Sequence, residues 1–126
     1  MDISDIETEF GFNFPLPHRE DLQDLSSPIH DACDFLIPDG LGSLDFAKVN
    51  RLLRSESHQG WVDRYVAFAS NGCGDYYAYD TFTRPYSVIY VDPMDLVADS
   101  SVSAKHYDEW REEQLQLASE VDEGFD

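Results

Sequence analysis

The stretch YVAFASNGCGDYYAYDT, from Tyr65 to Thr81, places two runs of aromatic and small apolar residues on either side of a turn-like tetrapeptide. Asn-Gly between two such runs is the strongest short-range signal of a β-hairpin, because both residues tolerate the positive φ of a tight turn. We therefore predict strands over 65–70 and 75–80, joined by the NGCG turn. The run over 86–91, rich in Val, Ile and Tyr, predicts a third strand.

The glycines of NGCG could instead form a phosphate-binding loop, and Cys73 could be a nucleophile. A phosphate loop leads directly into a helix, whereas here a strand beginning with Asp75 follows the glycines. A nucleophilic cysteine needs a base within hydrogen-bond reach, and none of the four histidines lies in a recognisable catalytic context. We interpret NGCG as a turn, predict no catalytic residue and do not expect an enzyme.

The strand registers predict which carboxylates meet. We expect Thr81 to pair with Tyr86 across the second turn, and this register places Asp75 beside Asp92 on the third strand. Two carboxylates at one end of a sheet can share a proton or hold a cation. A small cation-binding protein using Asp75, Asp80 and Asp92 is therefore one alternative. No DxDxDG loop or further ligand cluster supports it, so we expect no metal and no cofactor.

The tyrosines of the second strand alternate between faces, so Tyr77 shares a face with Tyr79, and Tyr76 shares the other with Ala78. In the hairpin, pairing residue 70 with residue 75 places Asp80 beside the first residue of the first strand. Exposed tyrosine beside aspartate suits an interface that receives basic side chains, while ordinary strand tyrosine remains the alternative. The predicted partner-binding residues are Asp75, Tyr77, Tyr79, Asp80 and Asp92.

Helical patterns occupy both ends of the chain. Gly11, Pro15 and Pro17 interrupt the first of them, because these residues do not continue a regular helix. Ser43 is a suitable N-cap for a central helix, and Trp110 lies on the apolar face of a final one. The predicted helices span 3–10, 18–25, 44–54 and 102–118.

The chain is strongly acidic, with 26 Asp and Glu against 8 Lys and Arg and a net charge of −18 over 126 residues. This charge repels nucleic acid and anionic membranes, so we expect neither as a partner. It favours rapid, salt-sensitive encounter with a basic partner, or it serves only solubility. The length predicts one domain over 1–126, with an acidic tail over 119–126 that we expect to fray.

The expected compartment follows from features that the sequence lacks. The N-terminus is acidic and has no apolar stretch of the kind found in secretion signals, so we expect a cytoplasmic protein. Two cysteines do not form a disulfide framework, and no Cys/His spacing matches a zinc site. No pattern specifies an oligomeric state.

The order of these elements resembles the SUKH superfamily, the Smi/Knr family of fungal cell-wall regulators and bacterial toxin-immunity proteins. The stretch YVAFASNGCGDYYAYD is similar to the family's central hairpin, and GFNFPLP is similar to its Gly-x-x-Leu-Pro entry into the second helix. The resemblance covers residues 3–118. The chain departs from the family in HREDLQDLSSPIHDACDF, where a tyrosine and a Leu-rich helix ending in Asn-Gly are usual.

The resemblance implies an α+β fold, in which helices flank a curved antiparallel sheet, and a function without catalysis. It implies a cytoplasmic immunity protein that binds and neutralises a cognate toxin, often a nuclease, of a bacterial polymorphic toxin system. The net charge of −18 adds the expectation that this toxin is basic. The alternative is a regulatory or scaffold module that binds several cellular proteins, like the fungal relatives.

Overall fold

The computed structural model describes residues 2–40, 42–55, 64–70, 75–91 and 100–123. The elements are α1 (Ile3–Phe10), α2 (Leu16–Gln23), α3 (Ile29–Ala32), β1 (Asp34–Phe35), a 3-10 turn (Gly42–Leu44), α4 (Phe46–Ser55), β2 (Tyr65–Ser70), β3 (Tyr76–Asp80), β4 (Ser87–Val91), β5 (Ser100–Ala104) and α5 (Tyr107–Glu123). The strands form one open sheet in the order β1-β2-β3-β4-β5, and every neighbouring pair is antiparallel. The predicted α+β fold class is confirmed.

The predicted hairpin is present as β2 and β3, and half of its register is as expected. Tyr65 lies opposite Asp80, as predicted. An irregularity between residues 67 and 69 shifts the pairing by one residue, so that Ser70 lies opposite Tyr76, one position later than predicted. A bulge of this kind leaves one residue unpaired and increases the local twist. The NGCG turn lies outside the described residues.

The third predicted strand is β4, and its register is confirmed. Asp80 lies opposite Ser87 at one end, and Tyr76 lies opposite Val91 at the other. Both pairs are those required by the predicted pairing of residues 81 and 86. Asp92, the predicted neighbour of Asp75, lies outside the described residues.

The final helix begins later than predicted, because the residues before it form an unpredicted strand. β5 pairs with β4, with Ser100 opposite Val91 and Ala104 opposite Val88. The predicted helix start at Val102 is therefore wrong, and α5 begins at Tyr107. Hydrogen bonds to the β4 backbone outweigh the weak helical pattern of this short segment. At its other end α5 runs to Glu123 and so includes residues 119–123, which we expected to fray.

The prolines of the GFNFPLP segment, Pro15 and Pro17, lie at the start of α2 and do not only terminate α1. α1 ends at Gly11, whose φ of 69° is the left-handed conformation that glycine adopts readily. Pro15 is the N-cap residue of α2 and Pro17 lies in its first turn. A missing backbone N–H costs nothing there, because the first N–H groups of a helix have no partner within it. The helix thus spans Leu16–Gln23 instead of 18–25.

The central helix α4 is capped by Asp45 instead of the predicted Ser43. The Asp45 carboxylate accepts a hydrogen bond of 2.9 Å from the backbone N–H of Lys48, as an N-cap side chain does. Farther along α4, the buried Asn50 side chain binds both the N–H and the C=O of Ala67, at 2.8 and 2.9 Å. Asn50 thereby supplies β2 with the hydrogen bonds that a neighbouring strand would make.

The core lies between one face of the sheet and the helices. Phe68 and Tyr79 stack with their ring centroids 4.3 Å apart, and Trp110 from α5 meets Phe68 edge-on at 4.9 Å. His18 from α2 packs on Phe68 at 5.2 Å and is parallel to Tyr107 at 4.9 Å. Within the described residues, no helix has the length and apolar character to cross a membrane.

Candidate partner-binding surface

The structure divides the predicted partner-binding residues between the two ends of β3. Asp75 and Tyr77 lie at the end nearest β1, whereas Asp80 is the last residue of the strand. Five residues of extended chain separate Asp75 from Asp80 by about 16 Å at ~3.3 Å per residue. Asp75 and Asp80 therefore do not share one cation, which corrects the three-carboxylate site proposed from the sequence.

Asp80 holds the turn between β3 and β4 in place. Its carboxylate accepts a hydrogen bond from the backbone N–H of Phe82 at 3.1 Å and lies 3.5 Å from the Arg64 guanidinium. Only 16% of the Asp80 side chain is exposed. Thr83 adds a hydrogen bond from its hydroxyl to the Asp80 carbonyl oxygen at 3.0 Å. These contacts give Asp80 a structural role at the end of the sheet opposite to Asp75.

Tyr79 is a core residue with no exposed surface. Its ring stacks on Phe68, and its hydroxyl lies 2.7 Å from Nδ1 of the buried His18. A side chain enclosed in this way offers nothing to a partner. Its place in the predicted partner-binding set is therefore corrected, whereas Tyr77, on the same face, is only half-buried.

A surface pocket of about 340 Å³ lies beside Tyr77, between α3, the start of β1 and the middle of α5. We refer to it as the Tyr77 pocket. Its lining residues are His30, Asp31, Ala32, Cys33, Asp34, Ser70, Tyr77 and Gln114. Residues distant in sequence meet here because β1 pairs with the end of β2 and α3 packs against α5.

Tyr77 is the aromatic wall of the pocket and is held by other rings. It meets Trp110 at 5.3 Å and Tyr90 at 5.4 Å between ring centroids, both edge-to-face. Such pairs contribute ~0.5–1.5 kcal/mol beyond the buried area. The Tyr90 hydroxyl donates a hydrogen bond to the Asp75 carboxylate. Asp75 and Tyr77 thus belong to one rigid group at this end of the sheet.

The surface around the Tyr77 pocket is acidic, and few of its carboxylates are paired with basic side chains of the described chain. Within the described residues, the exposed carboxylates of Asp31, Asp34 and Glu113 make no hydrogen bond or ion pair. The arginines elsewhere are already engaged, since Arg19, Arg51 and Arg111 are paired with Glu7, Glu9 and Asp21. The pocket therefore lies in a region of negative potential.

A buried polar network fixes the helices that form the pocket walls. Asp21 of α2 accepts hydrogen bonds from Arg111 at 2.8 and 3.2 Å, from Ser27 at 3.0 Å and from the Tyr107 hydroxyl. Burial alone would raise the pKa of Asp21, but the hydrogen bonds from Arg111, Tyr107 and Ser27 outweigh it and lower the pKa. The His30 ring bridges α3 to the same segment through the Asp21 carbonyl oxygen at 2.7 Å.

Cys33 is the thiol in the pocket wall. Burial, followed by the negative charges of Asp34 and Asp21, raises its pKa to about 12. A thiol with this pKa is protonated at neutral pH and is a poor nucleophile. In the described part of the chain, no group of three or more His, Cys, Asp or Glu side chains could hold a metal ion.

Of the residues that line the pocket, the sequence analysis predicted only Tyr77 as partner-binding. Asp31, Asp34 and Gln114 lie in segments whose contacts with β2 and β3 depend on long-range pairing. β1 is only two residues long, too short for a period-two pattern. The 34 residues before Phe35 hold nine acidic residues and one arginine, a composition that indicates a charged region but not a pocket.

The described chain is thus an α+β domain with an open five-stranded sheet and an acidic pocket at one end. Among protein-family models, that of the SMI1 / KNR4 family (SUKH-1) matches residues 1–115. The match covers most of the chain, so the chain belongs to this family, and the predicted SUKH membership is confirmed. A search of the curated proteins finds no match, and a search of the solved structures finds none either.

Proposed function

We propose that this protein is a cytoplasmic immunity protein, which binds a basic toxin domain and neutralises it without catalysis. One observation carries the proposal: an acidic surface with little internal neutralisation surrounds a pocket on a fold whose family includes such inhibitors, as the sequence resemblance implied. A nucleic-acid-cleaving toxin needs a basic cleft for its substrate, and an acidic inhibitor can occupy that cleft by presenting a similar charge.

The distribution of charge favours this function over the alternative that the acidic residues serve only solubility. The unpaired carboxylates concentrate around the Tyr77 pocket and along the adjoining half of α5, where Asp108, Glu112 and Glu113 are exposed. Charge of one sign collected on one side of a molecule steers an oppositely charged partner and raises the association rate. Solubility alone requires no such concentration.

The first test is capture of the tagged protein's partners from its host's lysate, washed at low and at high salt, followed by expression of the captured domain. We expect one basic domain that is toxic to bacteria and whose activity is blocked in the complex. Several signalling or wall-synthesis proteins, each of moderate affinity, would instead support the regulatory or scaffold alternative.

A second test measures the association rate with that domain as a function of salt. Reversing two charges beside the pocket, Asp31→Lys with Glu113→Lys, should slow association about tenfold at low salt, within the range known for electrostatic steering, and flatten its salt dependence. The matched control reverses Glu20 and Glu120, two exposed carboxylates on other parts of the surface. Equal effects of the two pairs would mean that only net charge matters.

A further inference from the structure

The Tyr77 pocket combines groups that accept hydrogen bonds with an aromatic wall. Its volume of about 340 Å³ is in the range of sites that hold a small ligand or a single side chain. Asp31 and Asp34 line the pocket from α3 and β1, and Tyr77 and Gln114 line it from β3 and α5.

Two basic side chains at or beside the pocket, Arg111 and His30, are hydrogen-bonded to other groups. The Arg111 guanidinium, one helical turn before Gln114, is held by Asp21 and Ser27. The His30 ring uses Nε2 on the carbonyl oxygens of Asp21 and Asp24, at 2.7 and 3.1 Å. Neither of these residues forms an ion pair with Asp31 or Asp34, so a cation from outside would find these two carboxylates available as acceptors.

We propose that the Tyr77 pocket binds the guanidinium group of one arginine side chain from the partner, in contact with Asp31 and Asp34 and against the Tyr77 ring. The inference rests on the proposed function, since the basic partner supplies the arginine. Arginine fits better than lysine because its planar fork of five N–H donors matches carboxylate oxygens and stacks on aromatic rings. The ammonium group of lysine has neither property.

The test needs no toxin. The full chain, labelled with ¹⁵N, is titrated with N-acetyl-arginine methylamide while amide chemical shifts are followed. N-acetyl-citrulline methylamide has the same shape without the charge, and N-acetyl-lysine methylamide has the charge without the fork. We expect saturable shifts confined to residues 30–34, 70, 77 and 114 with the arginine compound, and at least fivefold weaker binding of the other two.

Variants establish which groups bind the probe. Asp31→Asn with Asp34→Asn keeps the shape of the pocket and should weaken arginine binding at least tenfold. Glu20→Gln with Glu120→Gln removes the same charge from other parts of the surface and should change binding less than twofold. Both pairs are at exposed positions, and urea unfolding checks that each variant keeps its stability.

The outcomes separate this inference from the proposed function. Equal binding of the arginine and lysine compounds, shifts spread over the whole acidic surface, or equal loss in the two variant pairs would each overturn the arginine pocket. None of these results bears on whether a toxin is neutralised. Conversely, if the protein binds the arginine compound in the pocket but does not protect cells from the toxin, the arginine pocket stands and the immunity function is overturned.

Discussion

His18 should make the protein less stable as the pH falls below 6.5. The ring has no exposed surface and lies among Phe14, Phe35, Phe68 and Tyr107. Nδ1 is 2.7 Å from the Tyr79 hydroxyl, and Nε2 has no hydrogen-bond partner among the residues that the structure describes. Burial lowers the pKa of His18 from 6.5 to about 3, against a smaller opposing effect of the Asp21 charge.

The sign and size of the effect follow from linkage. Between pH 6.5 and 3 the unfolded chain binds a proton at His18 that the folded chain excludes, so the free energy of unfolding falls as the pH falls. Each pH unit below 6.5 costs about 1.36 kcal/mol, which gives a loss of about 2.7 kcal/mol at pH 4.5 relative to pH 7.5. The pKa of Asp21 is also lowered in the folded state. Its contribution to the free energy of unfolding is therefore lost only when the pH falls below about 3.8, the pKa of the carboxyl in the unfolded chain.

The assay is urea unfolding at pH values from 7.5 to 4.5, comparing the native chain with His18→Phe. Other titrating groups change stability with pH in both proteins, so the difference between the two isolates His18. The native chain should lose about 2.7 kcal/mol relative to the variant across this range. A difference that stays constant with pH, or a His18 ring whose NMR signals titrate near pH 6.5 in the folded protein, would refute the reasoning.

Three further predictions concern the groups around the pocket. Asp21→Asn should lower the free energy of unfolding by about 3 kcal/mol in urea, because Arg111 keeps its charge in a largely buried place without its carboxylate; a loss below 1 kcal/mol would contradict this role. Asn50→Ala should also cost about 3 kcal/mol, since the N–H and C=O of Ala67 lose their partners, and a near-neutral change would mean that water replaces them. In a variant that lacks the other cysteine, Cys33 should react with iodoacetamide at pH 8 at least about tenfold more slowly than a thiol with a pKa of 9, because the higher nucleophilicity of a more basic thiolate only partly offsets its lower abundance. A rate close to that of a free thiol would show that burial does not control Cys33.

The hairpin was predictable because its signals are local. Asn-Gly, the strand composition and the next turn correctly predict the register of β3 with β4 and the pairing of Tyr65 with Asp80 in β2 and β3, all from residues within about 30 positions. The bulge between residues 67 and 69 was not predictable from these signals. The start of α5 was missed because VSA suits either a strand or a helix, and only the pairing with β4 decides between them.

The candidate surface was only half predictable, because depth of burial is a property of the whole fold. Alternation correctly places Tyr77 and Tyr79 on one face of β3. Tyr79 is buried because α2 places His18 against it, whereas Tyr77 lies beside the pocket and is only half-buried. Neither the two-residue β1 nor the packing of α3 on α5 has a pattern in the sequence that would reveal the pocket.

The central claim, that the protein neutralises a basic toxin, is tested most directly by bacterial growth. Cells that express the captured toxic domain from an inducible promoter are grown with this protein, with its Asp31→Lys and Glu113→Lys variant, or with neither. The account predicts full growth with the native chain, reduced growth with the variant, and death with neither. Death in the presence of the native chain, at a level of expression that gives a stable complex in the same cells, would contradict it.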